Sequence, residues 1–159
     1  MKVNVYSRAA ATALIKKNFP KNISVISFYT PSSNGGVGEL SKVRVDYSSV
    51  CDDVFYVGVP DITEEGFADY GYTTDTFLSE IEDLVDFIYK AYNSGRNIIC
   101  QCDFGWSRSA ACAAAILERF YGRGDEILLS DNYHPNITIY TKVLEALRKR
   151  INKGENHGT

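Results

Sequence analysis

The stretch Asn97-Ile98-Ile99-Cys100-Gln101-Cys102-Asp103-Phe104-Gly105-Trp106-Ser107-Arg108-Ser109, followed by an alanine-rich run to Tyr121, decides how this chain reads. Asn97 to Cys100 is short and apolar, as a buried central strand is. Ser109 to Tyr121 is dominated by good helix formers. Between them, Asp103 to Arg108 is a tight turn containing Gly105, which permits a backbone that a Cβ would oppose. Cys102 and Arg108 stand in a Cys-x5-Arg spacing with Ser109 directly after. That spacing alone is a weak signal. The strand before it, the glycine within it and the helix beyond it make it specific. Such a turn aims backbone N–H groups inward at a helix N-terminus, which is an anion site. The same positive field favours a thiolate at Cys102. Arg108 offers a planar fork matched to two phosphate oxygens. Ser109 is placed to donate to the sulfur.

Outward from this stretch, strand and helix patterns alternate. Val3 to Tyr6 reads as a strand, and Ser7 as the cap of a helix running through Asn18. Ile23 to Tyr29 is a second strand, rich in β-branched and aromatic residues. Pro31 to Gly38 reads as a loop. Val43 to Tyr47 alternates and predicts an edge strand. Val54 to Val59 reads as a buried strand, ended by Pro60. A long loop follows, Asp61 to Tyr72. Thr73 or Thr74 then caps a helix that buries Phe77, Leu78, Ile81, Leu84, Val85, Ile88 and Tyr92 and stops at Gly95. The last helix follows Pro135 and buries Ile137, Tyr140, Val143, Leu144, Leu147 and Ile151. The alternation predicts an α/β domain with a mostly parallel central sheet flanked by helices on both faces. Residues 1–152 form that single domain and 153–159 a polar tail.

Composition narrows the function classes. With 17 basic and 20 acidic residues the net charge is −3, which disfavours wholesale nucleic-acid binding. No apolar run approaches the ~20 residues of a membrane helix, so no membrane partner is expected. The four cysteines, Cys51, Cys100, Cys102 and Cys112, are too few for a secreted disulfide scaffold and suit a reducing, cytoplasmic setting. Cys100 reads as core and Cys112 as helix packing. The two histidines, His134 and His157, have no clustered ligand partners, so no metal or other cofactor is expected.

The loop resembles the His-Cys-x5-Arg-Ser/Thr loop of the cysteine-based protein tyrosine phosphatases, particularly small dual-specificity and microbial or phage-type members. Cys102, Gly105, Arg108 and Ser109 match it. Val59-Pro60-Asp61 resembles the Trp-Pro-Asp segment that carries the family's general acid. Pro135-Asn136 resembles a Pro-Asn late in dual-specificity members. The resemblance covers nearly the whole chain. It implies an α/β fold with the active loop between the central strand and a helix, and a metal-free reaction through a cysteinyl-phosphate. It implies catalytic roles for Cys102, Arg108, Asp61 and Ser109. Phosphate contacts are expected from the loop Asp103-Phe104-Gly105-Trp106-Ser107-Arg108.

Two departures stand out. The family's histidine before the nucleophile is Gln101 here. Asp61 precedes Cys102 by 41 positions, whereas Asp69 precedes it by 33, the more usual separation in small members. Asp61 is preferred because it ends an apolar strand, which makes Gly66 to Tyr72 a loop insertion; Asp69 stays open. The expected partner is a phosphorylated protein or peptide, phosphotyrosine first, because no base stands among Asp103, Phe104, Trp106 and Ser107. Asp103 would repel a polyanionic headgroup. A weak phosphate-binding module and a rhodanese-like sulfurtransferase are the alternatives. The sequence is silent on oligomeric state.

Overall fold

The structure, a computed structural model, describes residues 1–31 and 43–155, with side chains described as far as residue 150. Four strands, β1 (Val3–Ser7), β2 (Ile23–Tyr29), β3 (Val54–Gly58) and β4 (Asn97–Cys102), form an all-parallel sheet in the order β1-β4-β2-β3. β4 is therefore central, hydrogen-bonded to β1 on one side and β2 on the other. Parallel strands need crossovers, and the helices supply them. They are α1 (Arg8–Lys17), α2 (Phe67–Tyr70), α3 (Ile81–Asn93), α4 (Arg108–Tyr121), α5 (Asp125–Leu128) and α6 (Ile137–Glu155).

The period-two alternation of each strand divides the core between the two faces. Ile26 and Phe28 of β2 and Ile98, Cys100 and Cys102 of β4 point into the larger cluster, with α3, α4 and α6. Ile23 and Val25 of β2 and Ile99 of β4 point into the smaller one, with Ala11 of α1, Val45 and Tyr47. Gln101, beside Ile99 in the alternation, shares that smaller face and is buried. The alanines of α4, Ala110, Ala111 and Ala113 to Ala115, are fully buried. Their small side chains let this helix sit close beneath the sheet, as ordinary core density requires. Ser7 caps α1 as expected, its Oγ accepting from Ala10 N at 3.1 Å.

Several elements differ from the sequence reading. Val45 to Tyr47 has no regular secondary structure and pairs with no strand. The alternation there is real, since Val45 and Tyr47 are buried and Asp46 is exposed, but the segment lies across the α1 face of the sheet. Its polar groups turn to side chains: Tyr56 Oη donates to Val45 O at 2.7 Å. β3 is one edge of the sheet, opposite β1, and only half-buried, with Val57 its one fully buried residue.

The helix expected from Thr73 starts instead at Ile81. Thr73 and Thr76 do cap one another, Thr73 N to Thr76 Oγ1 at 2.8 Å and Thr76 N to Thr73 Oγ1 at 3.2 Å. Leu78, at φ 54°, then breaks the turn. Lys142 of α6 donates to the carbonyls of Thr74 and Phe77, which the interruption leaves without helical partners. In α6, Ile137 is 58% exposed and Ile139 takes the buried position instead. Asn136 places this helix's first turn, accepting from Ile139 N at 3.0 Å. α6 continues to Glu155, into the stretch read as tail. Gly66 to Tyr72, read as a loop insertion, carries the whole of α2. Most of the loop read at Pro31 to Gly38, and the side chain of Ile151, lie outside the described residues.

Candidate active site

β4 ends at Cys102 and α4 begins at Arg108, so the Cys-x5-Arg turn lies at the carboxyl edge of the central strand. That is where open parallel sheets bind ligands. Gly105 enables the turn. It holds φ +73°, and an added Cβ would lie 2.6 Å from Ser7 N and 2.9 Å from Tyr6 C. The loop thus rests directly on the backbone end of β1.

Cys102 is buried. Its Sγ lies 3.0 Å from Ser109 Oγ and accepts from Gly105 N at 3.3 Å. The Gly105 N–H is aimed at the sulfur, and the Ser109 hydroxyl lies within hydrogen-bond reach of it. Cys100 lies two residues earlier on the same face of the sheet. A hydrogen bond with Cys112 and complete burial raise its thiol well above the usual range, so it stays protonated. Cys51 belongs to the cluster on the other face of the sheet, its Sγ 3.4 Å from Ile23 O. The sheet separates it from Cys102.

Arg108 is 4% exposed and is fixed from one side. Its Nη1 donates to Val59 O at 2.8 Å and to Thr30 Oγ1 at 3.0 Å. Its Nη2 meets Asp103 Oδ2 at 3.2 Å. Its Nε is buried and has no hydrogen-bond partner among the described residues. A buried orphan donor is costly, and an incoming oxyanion would satisfy it. Asp103 is held a second time, by Arg8 Nε to Oδ1 at 3.1 Å. Arg8 N also donates to Asp103 O at 3.1 Å.

Asp61 follows β3 and reaches the loop. Its Oδ1 accepts from Ser107 Oγ at 2.7 Å and from Asn136 Nδ2 at 2.9 Å. Asn136 also donates to Ile62 O at 2.9 Å, and its backbone N donates to Ser107 O at 3.2 Å. One residue, through its side chain and its backbone, thereby ties together the Asp61 segment, the Cys-x5-Arg loop and α6. Ser107 places no side-chain cap on α4, because its hydroxyl is turned to Asp61. Asp69 sits exposed on α2. Phe104 and Trp106 do not enter the core. They are 70% and 47% exposed and stack on each other with ring centroids 5.4 Å apart, and His134 lies edge-on to Trp106.

Gln101 takes a structural role. Its Oε1 accepts from Ser27 Oγ at 2.6 Å and from Tyr47 Oη at 2.9 Å. Burial pushes the Tyr47 phenol far up, so it remains a donor. Arg8, Ser27 and Tyr47 escaped sequence reasoning, since each is remote in the chain from the residue it meets. Among the described residues no cluster of His, Cys, Asp and Glu could hold a metal ion, and no helix is long and apolar enough to cross a membrane.

No family model matches this chain, and no curated protein is similar to it in sequence. Solved structures are similar in fold. PTPMT1 in complex with PI(5)P superposes with a TM-score of 0.57 at 13% identity, over 96% of this chain and 94% of that one. Human DUSP28 does so with a TM-score of 0.56 at 14% identity, over 95% and 94%. Cydia pomonella PTP-2 phosphatase gives a TM-score of 0.55 at 17% identity, over 91% and 85%. The chain has the fold of the cysteine-based protein tyrosine and dual-specificity phosphatases over nine-tenths or more of its length.

Proposed function

We propose that this protein is a cysteine-dependent phosphatase that hydrolyses phosphate monoesters, protein phosphotyrosine first, through a cysteinyl-phosphate. One observation carries the reading: buried Cys102 Sγ accepts from Gly105 N and meets Ser109 Oγ in the loop where Arg108 holds out an Nε that has no partner among the described residues.

Cys102 attacks phosphorus in line, forming S–P as the P–O bond to the leaving group breaks. Loop amides and Arg108 hold the non-bridging oxygens, so positioning and charge stabilisation supply most of the rate. Asp61 gives its proton to the leaving oxygen, and Ser107 and Asn136 orient it by occupying Oδ1. Water then attacks the cysteinyl-phosphate. The Asp61 carboxylate takes the water's proton, and Ser109 donates to the departing sulfur.

The stacked Phe104 and Trp106 flank the loop and suit an aromatic leaving group. PTPMT1 is seen with PI(5)P, and that substrate class is the competing one. The acidic Asp103 in the loop favours a singly phosphorylated peptide over it. Turnover of an aryl phosphate in the presence of EDTA tests the activity. Comparing catalytic efficiency on phosphotyrosyl peptide, phosphoseryl peptide and a polyphosphorylated inositol lipid tests the substrate. Absence of turnover, or a preference for the lipid, overturns the corresponding claim.

A further inference from the structure

Arg108 brings three nitrogens to the loop, and their commitments are unequal. Nη1 is taken by Val59 O and Thr30 Oγ1, which fix the guanidinium plane. Only Nε and Nη2 remain for a phosphate, and a planar fork binds two oxygens best. Nη2 is already in contact with a carboxylate, Asp103 Oδ2 at 3.2 Å. A substrate phosphate that engages both nitrogens must displace that carboxylate or lie against it. Asp103 and Arg8 are each about one-third exposed, at 36%, so a carboxylate displaced from Nη2 has solvent beside it to move into. Arg8 Nε draws its other oxygen from the far side at 3.1 Å. Arg8 is anchored in turn by its bond to Val43 O and by its position as the first residue of α1.

We propose that the Asp103 carboxylate is a resident competitor for the phosphate clamp, that Arg8 sets how strongly it competes, and that the pair makes the site select isolated phosphates over multiply phosphorylated ligands. The proposal deepens the phosphatase reading and rests on it. A single phosphate pushes the carboxylate toward Arg8, where its charge is met. A ligand with a second phosphate near the loop mouth meets the displaced carboxylate and is repelled. Neutralising Asp103 removes both obstacles. Neutralising Arg8 leaves Asp103 with Arg108 as its one cationic partner among the described residues.

These signs separate competition from a merely structural role. Trp106, the only tryptophan in the chain, stands in the loop and reports anion binding without turnover. Tungstate and inorganic phosphate are titrated by Trp106 fluorescence into wild type, Asp103→Asn, Asp103→Ser and Arg8→Gln. The phosphate-induced rise in melting temperature is an independent measure. Both Asp103 variants should bind phosphate roughly 3- to 30-fold more tightly, with a larger gain at low salt, and Arg8→Gln roughly 3- to 10-fold more weakly. The efficiency ratio of a bisphosphorylated to a monophosphorylated aryl substrate should rise at least threefold in Asp103→Asn, about the low end of those ranges. Equal or weaker phosphate binding by the Asp103 variants, or the same sign of change for Asp103 and Arg8 variants, overturns the proposal. If wild type binds these anions but turns over no phosphate ester, the phosphatase reading fails while the titrations still decide the competition.

Discussion

Replacing Gly105 by alanine tests whether the active loop is seated on β1 as described. Two costs apply. The residue holds φ +73°, where a side chain costs roughly 1–2 kcal/mol. The new Cβ would also meet backbone at 2.6 Å, 2.9 Å and 3.0 Å, at Ser7 N, Tyr6 C and Ser7 Cα. Those atoms belong to a strand paired with β4 and cannot yield as a side-chain tip can. Forcing a methyl group into such a site costs about 1–3 kcal/mol more. The sum is about 2–5 kcal/mol, and a domain of this size loses about 2–4 °C of melting temperature per kcal/mol. A drop of about 10 °C is expected. Relief by lifting the loop would break the Gly105 N–H to Cys102 Sγ bond, so aryl phosphate turnover should fall by at least about tenfold, the rate equivalent of 1.36 kcal/mol. Gly122→Ala is the control: φ is +65° there, but nothing lies within 4 Å, so only the conformational cost of about 1–2 kcal/mol applies. Calorimetry and steady-state turnover on both variants give the comparison. Equal melting temperatures with full activity in Gly105→Ala would refute the seating of the loop on β1.

Cys102→Ser should lose turnover of an aryl phosphate while Trp106 fluorescence still reports tungstate binding; residual turnover in the purified variant removes Cys102 as nucleophile. Asp61→Asn should slow poor leaving groups by about 10²–10⁴ and good ones less, whereas Asp69→Asn should do little; the reverse ranking reassigns the acid. Asn136→Ala should lower kcat more than it raises KM, and most for poor leaving groups, because the side chain holds Asp61 rather than substrate. Burial keeps Tyr47 protonated above the ordinary phenol value of 10.0. The folded state then retains a proton the unfolded chain gives up, so this contribution to stability is full below pH 10 and fades as pH rises beyond it. Urea unfolding at about pH 8 and about pH 10.5 should show a smaller alkaline loss in Tyr47→Phe than in wild type; equal losses would assign the effect to other groups.

The loop was legible because all its determinants are consecutive. The apolar strand, Gly105, Arg108, Ser109 and the alanines of α4 lie within one window. Asp61 was legible as the end of an apolar strand, and its Oδ1 accepts from Ser107 Oγ; the Asn variants at Asp61 and Asp69 decide which of the two is the acid. The errors share a cause, which is tertiary packing overriding a local pattern. Val43 to Tyr47 alternates because one side faces Tyr56 and Gln101, a constraint that looks like a strand without being one. Phe77 and Leu78 fit a helical face, yet both reach the core because Leu78 leaves the helical conformation. Ile137 precedes a buried Ile139 because Asn136 fixes where the first turn of α6 points. The pairing of Arg8 with Asp103 spans 95 positions and leaves no trace in either neighbourhood.

The same separation governs β1, whose partner residues follow far along the chain, Val3 opposite Ile98. A ribosome adding ~5–20 residues per second leaves β1 without β4 for roughly 5–20 s. During that interval the seat of the active loop exists as sequence but not as structure, and closing the intervening span carries an entropic cost that only the finished sheet offsets. Cys102 emerges as β4 ends, and Asn136, which couples the Asp61 segment to the loop, comes later still. The Cys102 thiol is therefore made before the parts that bury it, and assembly order leaves a window in which Cys102 is synthesised but not yet enclosed.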